Sequence, residues 1–210
     1  MIGLLPSSLP AVQYGPIFYR NIEIDENEAL HKTKGNFEAL MQLSPESRED
    51  LTWWVRTLPQ AYKQIDVSNP DIQVTTDASK IAWGTVCLGE TTQGLWSASE
   101  KLRHINELEI LAVHFALRCF KSHIKGKHVR VNSDNSTAVC YLNAMSCTKS
   151  PSCNKLVQDI WTWCMQNKVS LSASHLPGAL KVEANQQSRQ FNEQTEWHLR
   201  EDAFKQISKI

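Results

Sequence analysis

Hydrophobic positions between residues 71 and 190 follow two spacings, and each change of spacing marks the boundary of a predicted element. Runs rich in β-branched residues predict strands, because such side chains pack well on a half-buried pleated surface. Apolar residues that recur every three or four positions predict helices. The predicted strands cover residues 72–76, 82–88, 95–98, 128–133 and 169–175, and the predicted helices cover residues 105–124, 136–145, 152–167 and 182–188.

The order of these elements, βββαβααβα, predicts an α/β fold in which helices flank a five-stranded mixed sheet. Residues 89–91 form the predicted turn between the second and third strands. The helix over residues 105–124 has the clearest apolar face. That face is formed by Leu108, Leu111, Ala112, Phe115, Ala116 and Cys119.

The N-terminal part of the chain predicts a partly helical extension. Residues 1–35 place prolines and glycines around short apolar clusters, which is not typical of a self-sufficient domain. A helix is predicted over residues 44–64, because Ser44 is a favourable N-cap and Pro45 suits the first helical position. The turn residues at 68–70 predict a boundary before the sheet.

Composition places the chain among globular proteins. Its 210 residues are 41% hydrophobic and 21% charged, which is enough for one domain and an extension. The formal net charge is zero, whereas a tight non-specific binder of nucleic acid usually has a basic excess. Residues 121–130 are locally basic, which fits a solvated helix end and a phosphate-contacting patch equally well.

Cysteine usage and hydropathy indicate an intracellular protein, without separating cytoplasm from nucleus. The six cysteines lack C-x-x-C spacing, which favours free thiols over a zinc site. No apolar stretch has membrane-spanning length, and the first residues lack the pattern of a signal peptide.

Three acidic residues follow a pattern that suits metal-dependent chemistry. Asp77 and Asp134 end predicted strands, and Glu109 lies between apolar neighbours in the first long helix. Taken singly, the two aspartates are typical of caps. Glu109 is more informative, because Glu107 fits the role of a solvated helix residue better. Carboxylates from separate elements that converge on one cleft provide the oxygen ligands that a two-metal hydrolase needs.

His175 and Asn185 follow later in the chain. His175 ends the fifth predicted strand, and Asn185 lies ten residues further on. A histidine near bound metals is suited to proton transfer, whereas a loop histidine satisfied by solvent is the more common situation. The sequence alone favours the second interpretation for His175.

At these residues the chain resembles the type 1 ribonuclease H domain of reverse transcriptases, most closely that of DIRS-like retroelements. The similar segments surround Glu109 (residues 104–113), Asp134 (125–139) and His175 (174–178), together with residues 184–189. The resemblance covers about residues 71–190 and implies a ribonuclease H-like fold. It also implies endonucleolytic hydrolysis of the RNA strand of RNA–DNA hybrids.

The same resemblance implies the roles of individual residues. Asp77, Glu109 and Asp134 would be ligands of two Mg²⁺ ions, with Mn²⁺ as a substitute. Asn185 would occupy the fourth ligand position, and His175 would act as proton shuttle. The residues that would contact substrate are Asn106 in the minor groove, and Ser79 and Asn135 at the backbone.

The flanking regions also resemble parts of these elements. Residues 1–66 are similar to the end of the polymerase thumb and connection, and residues 191–210 to the segment that follows ribonuclease H. The polymerase portion of a parent polyprotein is therefore an expected partner, and no membrane is expected. The expected domains are residues 1–66, 71–190 and 191–210.

Two departures from the family pattern bear on activity. Asn185 stands where the family has aspartate, which removes one negative charge and predicts lower metal affinity. Gln187 stands where the family usually has leucine; an unsatisfied buried amide costs roughly 1–3 kcal/mol. A catalytically inactive relic that only binds nucleic acid is the alternative to a weakened nuclease. An integrase or junction resolvase is disfavoured, because those enzymes carry the helical acid late in the chain.

Overall fold

The computed structural model describes residues 4–63, 69–146 and 149–177, and the fold is reported for those residues. The strands are β1 (Ile72–Ala78), β2 (Ala82–Cys87), β3 (Glu90–Leu95), β4 (His128–Ser133) and β5 (Ser170–His175). They form one mixed sheet in the order β3-β2-β1-β4-β5. Strands β1, β2 and β3 pair antiparallel, whereas β4 runs parallel to both β1 and β5.

Helices flank this sheet, which confirms the expected α/β architecture. The helices are α1 (Leu4–Ser8), α2 (Arg20–Lys32), α3 (Pro45–Thr57), α4 (Ile105–Cys119), α5 (Lys121–Ile124), α6 (Ser136–Ala144) and α7 (Pro151–Asn167). The main core lies between the sheet and α4, α6 and α7, with α4 packed on β1 and β2. Among the helices that the structure describes, none has the length and apolar character needed to cross a bilayer.

The hairpin between β2 and β3 is tighter than the sequence predicts. Leu88 and Gly89 have φ values of 52° and 80°, and two consecutive residues with positive φ suit a two-residue hairpin loop. Glu90 therefore pairs with Cys87 inside the ladder. The predicted turn over residues 89–91 is wrong because a leucine in a left-handed conformation has no sequence signal.

The long helix predicted over residues 105–124 is two helices. Helix α4 ends at Cys119 and α5 begins at Lys121, with Phe120 as the hinge between them. Phe120 and Ile124 are buried, whereas Cys119 is exposed and does not join the predicted apolar face. The break lets the chain turn its aromatic and aliphatic side chains back onto the core.

The N-terminal residues pack against the sheet domain. A small cluster of their own contains Val12, Ile22 and Trp54. Ile17, by contrast, belongs to the main core, and the Tyr14 ring meets Trp161 of α7 edge-on with centroids 6.2 Å apart. The described part of the extension is therefore joined to the domain by buried apolar contacts.

Candidate metal centre

Sheet register brings Asp77 and Asp134 to the same edge. Strands β1 and β4 are parallel, and Thr75 lies opposite Asn132 in their ladder. Asp77 lies two residues after Thr75, and Asp134 lies two residues after Asn132. Both aspartates are therefore at the carboxyl ends of neighbouring strands. Asp77 is still within β1, whereas Asp134 directly follows β4.

Helix α4 supplies the third acid. His104 caps its first turn, where its Nδ1 accepts a hydrogen bond from the Asn106 backbone N–H at 3.2 Å. Leu108 and Ile110, on either side of Glu109, are fully buried. These apolar neighbours hold the helix against the sheet, so that Glu109 points towards the ends of the strands.

The three carboxylates meet in one cluster. One oxygen from each of Asp77, Glu109 and Asp134 lies within 4.8 Å of the others. Asp77 is 3% exposed and Glu109 is 4% exposed, whereas Asp134 is half-buried at the solvent side. Among the described residues, no other group of three or more histidine, cysteine or acidic side chains is arranged in this way.

This donor set fits a hard divalent cation. Mg²⁺ and Mn²⁺ prefer carboxylate oxygens, and Mg²⁺ commonly takes a few carboxylates together with phosphate and water. Three like charges in a largely buried position repel one another, and a bound cation offsets that repulsion. The predicted ligands Asp77, Glu109 and Asp134 are therefore brought together by the fold.

His175 lies beside this cluster. It ends β5 opposite Ser133 of β4, and its exposed ring places Nε2 3.1 Å from the backbone oxygen of Asp134, to which it donates. The backbone N–H of Leu176 donates to the Ser133 oxygen at 2.9 Å. The end of β5 is thus fixed next to the third acid, with the imidazole accessible to solvent.

The three residues predicted to contact substrate occupy different environments. Asn106 and Asn135 bond to each other, with the Asn135 Nδ2 donating to the Asn106 Oδ1 at 2.9 Å. The Ser79 hydroxyl accepts from the backbone N–H groups of Ile81 and Ala82 and donates to the Ala82 oxygen. Ser79 therefore also shapes the turn that follows Asp77.

Asn143 contributes to this region without any sequence signal. Its Nδ2 donates to the Ala173 oxygen at 2.9 Å, and its Oδ1 accepts from the Ala173 N–H at 2.8 Å. This amide clamp holds the outer edge of β5 two residues before His175. A lone asparagine on an exposed helix surface gives no hint of such a contact.

Asn185 and Gln187 lie outside the described residues, as do the predicted helix over residues 182–188 and the segment 191–210. The fourth ligand position and the effect of the missing charge therefore remain predictions.

Comparison with known families finds a similarity over part of the chain. Residues 67–166 match the family described as RNase H-like domain found in reverse transcriptase. The match includes Asp77, Glu109 and Asp134 and ends before His175. No curated protein matches the chain.

Solved structures with similar folds include two RNase H1 enzymes. RNase H1 from the halophilic archaeon Halobacterium salinarum NRC-1 is 16% identical with a TM-score of 0.47; 55% of this chain and 92% of that chain are covered. LC11-RNase H1, isolated from compost and solved in complex with an RNA/DNA hybrid, is 17% identical with a TM-score of 0.48; the coverage is 56% and 93%.

A viral polyprotein is also similar over a longer part of this chain. The protease–reverse transcriptase of prototype foamy virus is 14% identical with a TM-score of 0.38, and 83% of this chain is covered. The chain spans 24% of the length of that viral protein.

Proposed function

We propose that this chain, which over residues 67–166 is similar to the RNase H-like domain found in reverse transcriptase, hydrolyses the RNA strand of RNA–DNA hybrids endonucleolytically with divalent metal ions. The observation that carries the proposal is the convergence of Asp77, Glu109 and Asp134 within 4.8 Å. A cluster with that oxygen donor set, next to an exposed histidine, suits metal-assisted phosphodiester hydrolysis.

The three acids have distinct tasks in this proposal. Asp77 and Glu109 are nearly buried and hold their oxygens in fixed positions, whereas half-buried Asp134 leaves a side open to a phosphate. Two bound Mg²⁺ ions would supply activation of a water molecule and stabilisation of charge on the phosphate. Without a cation the acidic cluster repels the nucleic-acid backbone, so substrate binding near the acids depends strictly on metal.

His175 is placed to move a proton. Its ring is exposed beside Asp134 and is held there by the contact with the Asp134 backbone oxygen. An imidazole changes its protonation state near neutral pH, which suits it to deliver a proton to a leaving oxygen.

Substitution of one buried acid tests the proposal. Asp77→Asn keeps the shape of the side chain and removes a charged metal ligand. Because metal assistance is worth several kcal/mol and each 1.36 kcal/mol is tenfold in rate, cleavage should fall by at least about a hundredfold. The measurement is cleavage of a labelled RNA–DNA hybrid in Mg²⁺.

Asp159→Asn is the matched control, since that carboxylate pairs with Lys155 on the surface of α7. It should cut at the wild-type rate. Wild-type cleavage by Asp77→Asn would overturn the assignment of Asp77 as a metal ligand that cleavage requires.

The second candidate function is a relic that binds hybrid without cutting it. Asn185 favours this second function, because an uncharged amide stands where the resemblance implies an aspartate that would bind metal. The relic predicts hybrid binding with no turnover at any Mg²⁺ or Mn²⁺ concentration. Cleavage that disappears in Asp134→Asn would exclude it.

The place of the chain within a larger protein is part of the same proposal. On the resemblance of its motifs, we propose that the chain is part of a DIRS-like retrotransposon polyprotein, with residues 1–66 as the end of the thumb and connection. The expected substrate partner is an RNA–DNA hybrid, and the expected protein partner is the polymerase portion.

A further inference from the structure

Asn135 is held by two hydrogen bonds of opposite sense. Its Oδ1 accepts from the backbone N–H of Ala138 at 2.9 Å, which caps helix α6. Its Nδ2 donates to the Oδ1 of Asn106 at 2.9 Å. Both amides are partly buried, and they join the start of α4 to the start of α6.

These contacts fix the orientation of both amides. A backbone N–H can only donate, so the oxygen of Asn135 must face Ala138 and its NH₂ group must face Asn106. The oxygen of Asn106 must then face Asn135, which turns the Asn106 Nδ2 away from it. Within the described part of the chain, no residue accepts a hydrogen bond from that Nδ2.

The amide pair lies at the rim of the acidic cluster. Asn106 is three residues before Glu109 on α4, and Asn135 directly follows Asp134. The pair therefore connects the two elements that carry Glu109 and Asp134. A donor fixed at this rim lies where a nucleic acid bound at the carboxylates would pass.

We propose that Asn135 is a positioning residue that fixes Asn106 as a hydrogen-bond donor towards acceptor atoms of a bound nucleic acid. This inference rests on the proposed function and adds that Asn106 is the hydrogen-bond donor in the contact. The matching acceptors in a minor groove are the adenine N3 and thymine O2 atoms, and the ribose 2′-oxygen is an acceptor found only in RNA. Because such acceptors recur along the groove, this contact tolerates many sequences.

Asn135→Ser separates the positioning role from the capping role. Serine is a favourable N-cap and accepts from the Ala138 N–H, but its short side chain does not reach Asn106. Helix α6 should persist, whereas the Asn106 amide becomes free to rotate. We expect about fivefold weaker binding of an RNA–DNA hybrid, which corresponds to the loss of one ordinary hydrogen bond.

A double-mutant cycle with Asn106→Ala provides the decisive readout. Affinity is measured by fluorescence anisotropy of a labelled hybrid in Ca²⁺. The inference predicts that Asn135→Ser weakens binding in the wild-type background and has no further effect once Asn106 is alanine. Equal losses in both backgrounds, or no loss in either, would overturn it.

A second measurement keeps the inference independent of nuclease activity. The side-chain ¹H–¹⁵N resonances of Asn106 are followed in the free protein. Asn135→Ser should shift these resonances and reduce the chemical-shift difference between the two amide protons. The reason is that the Asn106 side chain then rotates about its Cβ–Cγ bond and averages its surroundings. Unchanged resonances would refute the positioning role. If the wild-type chain fails to bind hybrid while the resonances shift, the proposed function fails and the positioning claim stands.

Discussion

Asp50 shows what burial does to a carboxylate outside the acidic cluster. It lies on α3, is 7% exposed and accepts a hydrogen bond from the Asn21 Nδ2 at 3.0 Å. Loss of water around the side chain raises the pKa of Asp50 to about 6, although the hydrogen bond from Asn21 opposes this shift. Glu49 and Asp25 add repulsion that raises the pKa further.

This shift predicts the pH dependence of stability. The folded pKa of about 6 lies above the ordinary value of 3.8, so the folded state binds the proton more tightly than the unfolded state. The free energy of unfolding should therefore fall as pH rises between these two values and stay lowered above pH 6. Asp50→Asn should raise it at pH 7.5 by about 1–3 kcal/mol and flatten the dependence.

Urea denaturation at pH 4.5 and pH 7.5 measures this effect. Glu38→Gln, an exposed carboxylate in a loop, is the control and should leave the profile unchanged. A variant of Asp50 that is less stable than wild type at pH 7.5 would contradict the cause assigned to the shift.

At this scale the sequence predicts that the three acids converge, and it does not predict the amide clamp. Asp77, Glu109 and Asp134 are recognisable as a set, because carboxylates at two strand ends and in one helix can meet in one cleft, although each aspartate alone is typical of a cap. Asn143 has no such context. Its partner Ala173 is 30 residues away, and only the folded chain brings them together.

Among the elements, β5 is an edge strand whose outer side is partly closed by Asn143. Among the strands that the structure describes, β5 has one neighbour, β4. The side-chain amide of Asn143 satisfies both backbone groups of Ala173 as a neighbouring strand would. Unpaired edge groups invite pairing with other chains, so this clamp also protects the edge.

Asn143→Ala should loosen this strand. Two hydrogen bonds of about 1 kcal/mol each are lost, and each 1.36 kcal/mol is a factor of ten, so the Ala173 amide should exchange its hydrogen roughly thirtyfold faster. Hydrogen exchange followed by NMR measures the change. Cys140→Ala, another exposed position on α6, is the control, and equal protection of Ala173 in both variants would show that the clamp is unimportant.

The elements themselves are largely predictable because strand and helix periods differ. The errors in the predicted element boundaries arise at single residues whose backbone conformation cannot be predicted from the residue type. Leu88 turns the β2–β3 hairpin with a positive φ of 52°. Buried Phe120 is the C-cap of α4, at a point where the apolar helical pattern of the sequence continues.

At the scale of the whole molecule, the N-terminal extension (residues 4–63) makes direct contacts with the sheet domain. The Gln158 Nε2 donates to the Ile17 oxygen, and the Ser146 hydroxyl donates to the Pro16 oxygen, both at 3.4 Å. Ile17 itself is 3% exposed in the main core. These contacts join residues that are 130 and 141 positions apart, which no local sequence pattern predicts.

The two parts should therefore unfold together. Ile17→Ala leaves a cavity in the shared core and should lower the free energy of unfolding by about 2–4 kcal/mol. Guanidinium denaturation followed by circular dichroism and by tryptophan fluorescence should give one coincident transition. Val55→Ala, at a side chain 76% exposed, should change little. Two separate transitions in the wild-type chain would contradict a shared core.

The central claim is that the acidic cluster is a working metal site, weakened by the amide at position 185. Cleavage of a labelled RNA–DNA hybrid across Mg²⁺ and Mn²⁺ concentrations, by the wild-type chain and by Asn185→Asp, tests it directly. We predict that both proteins cut and that Asn185→Asp reaches half-maximal rate at a lower metal concentration, since it restores a negative charge. If neither protein cuts although both are folded, the cluster is not a nuclease centre.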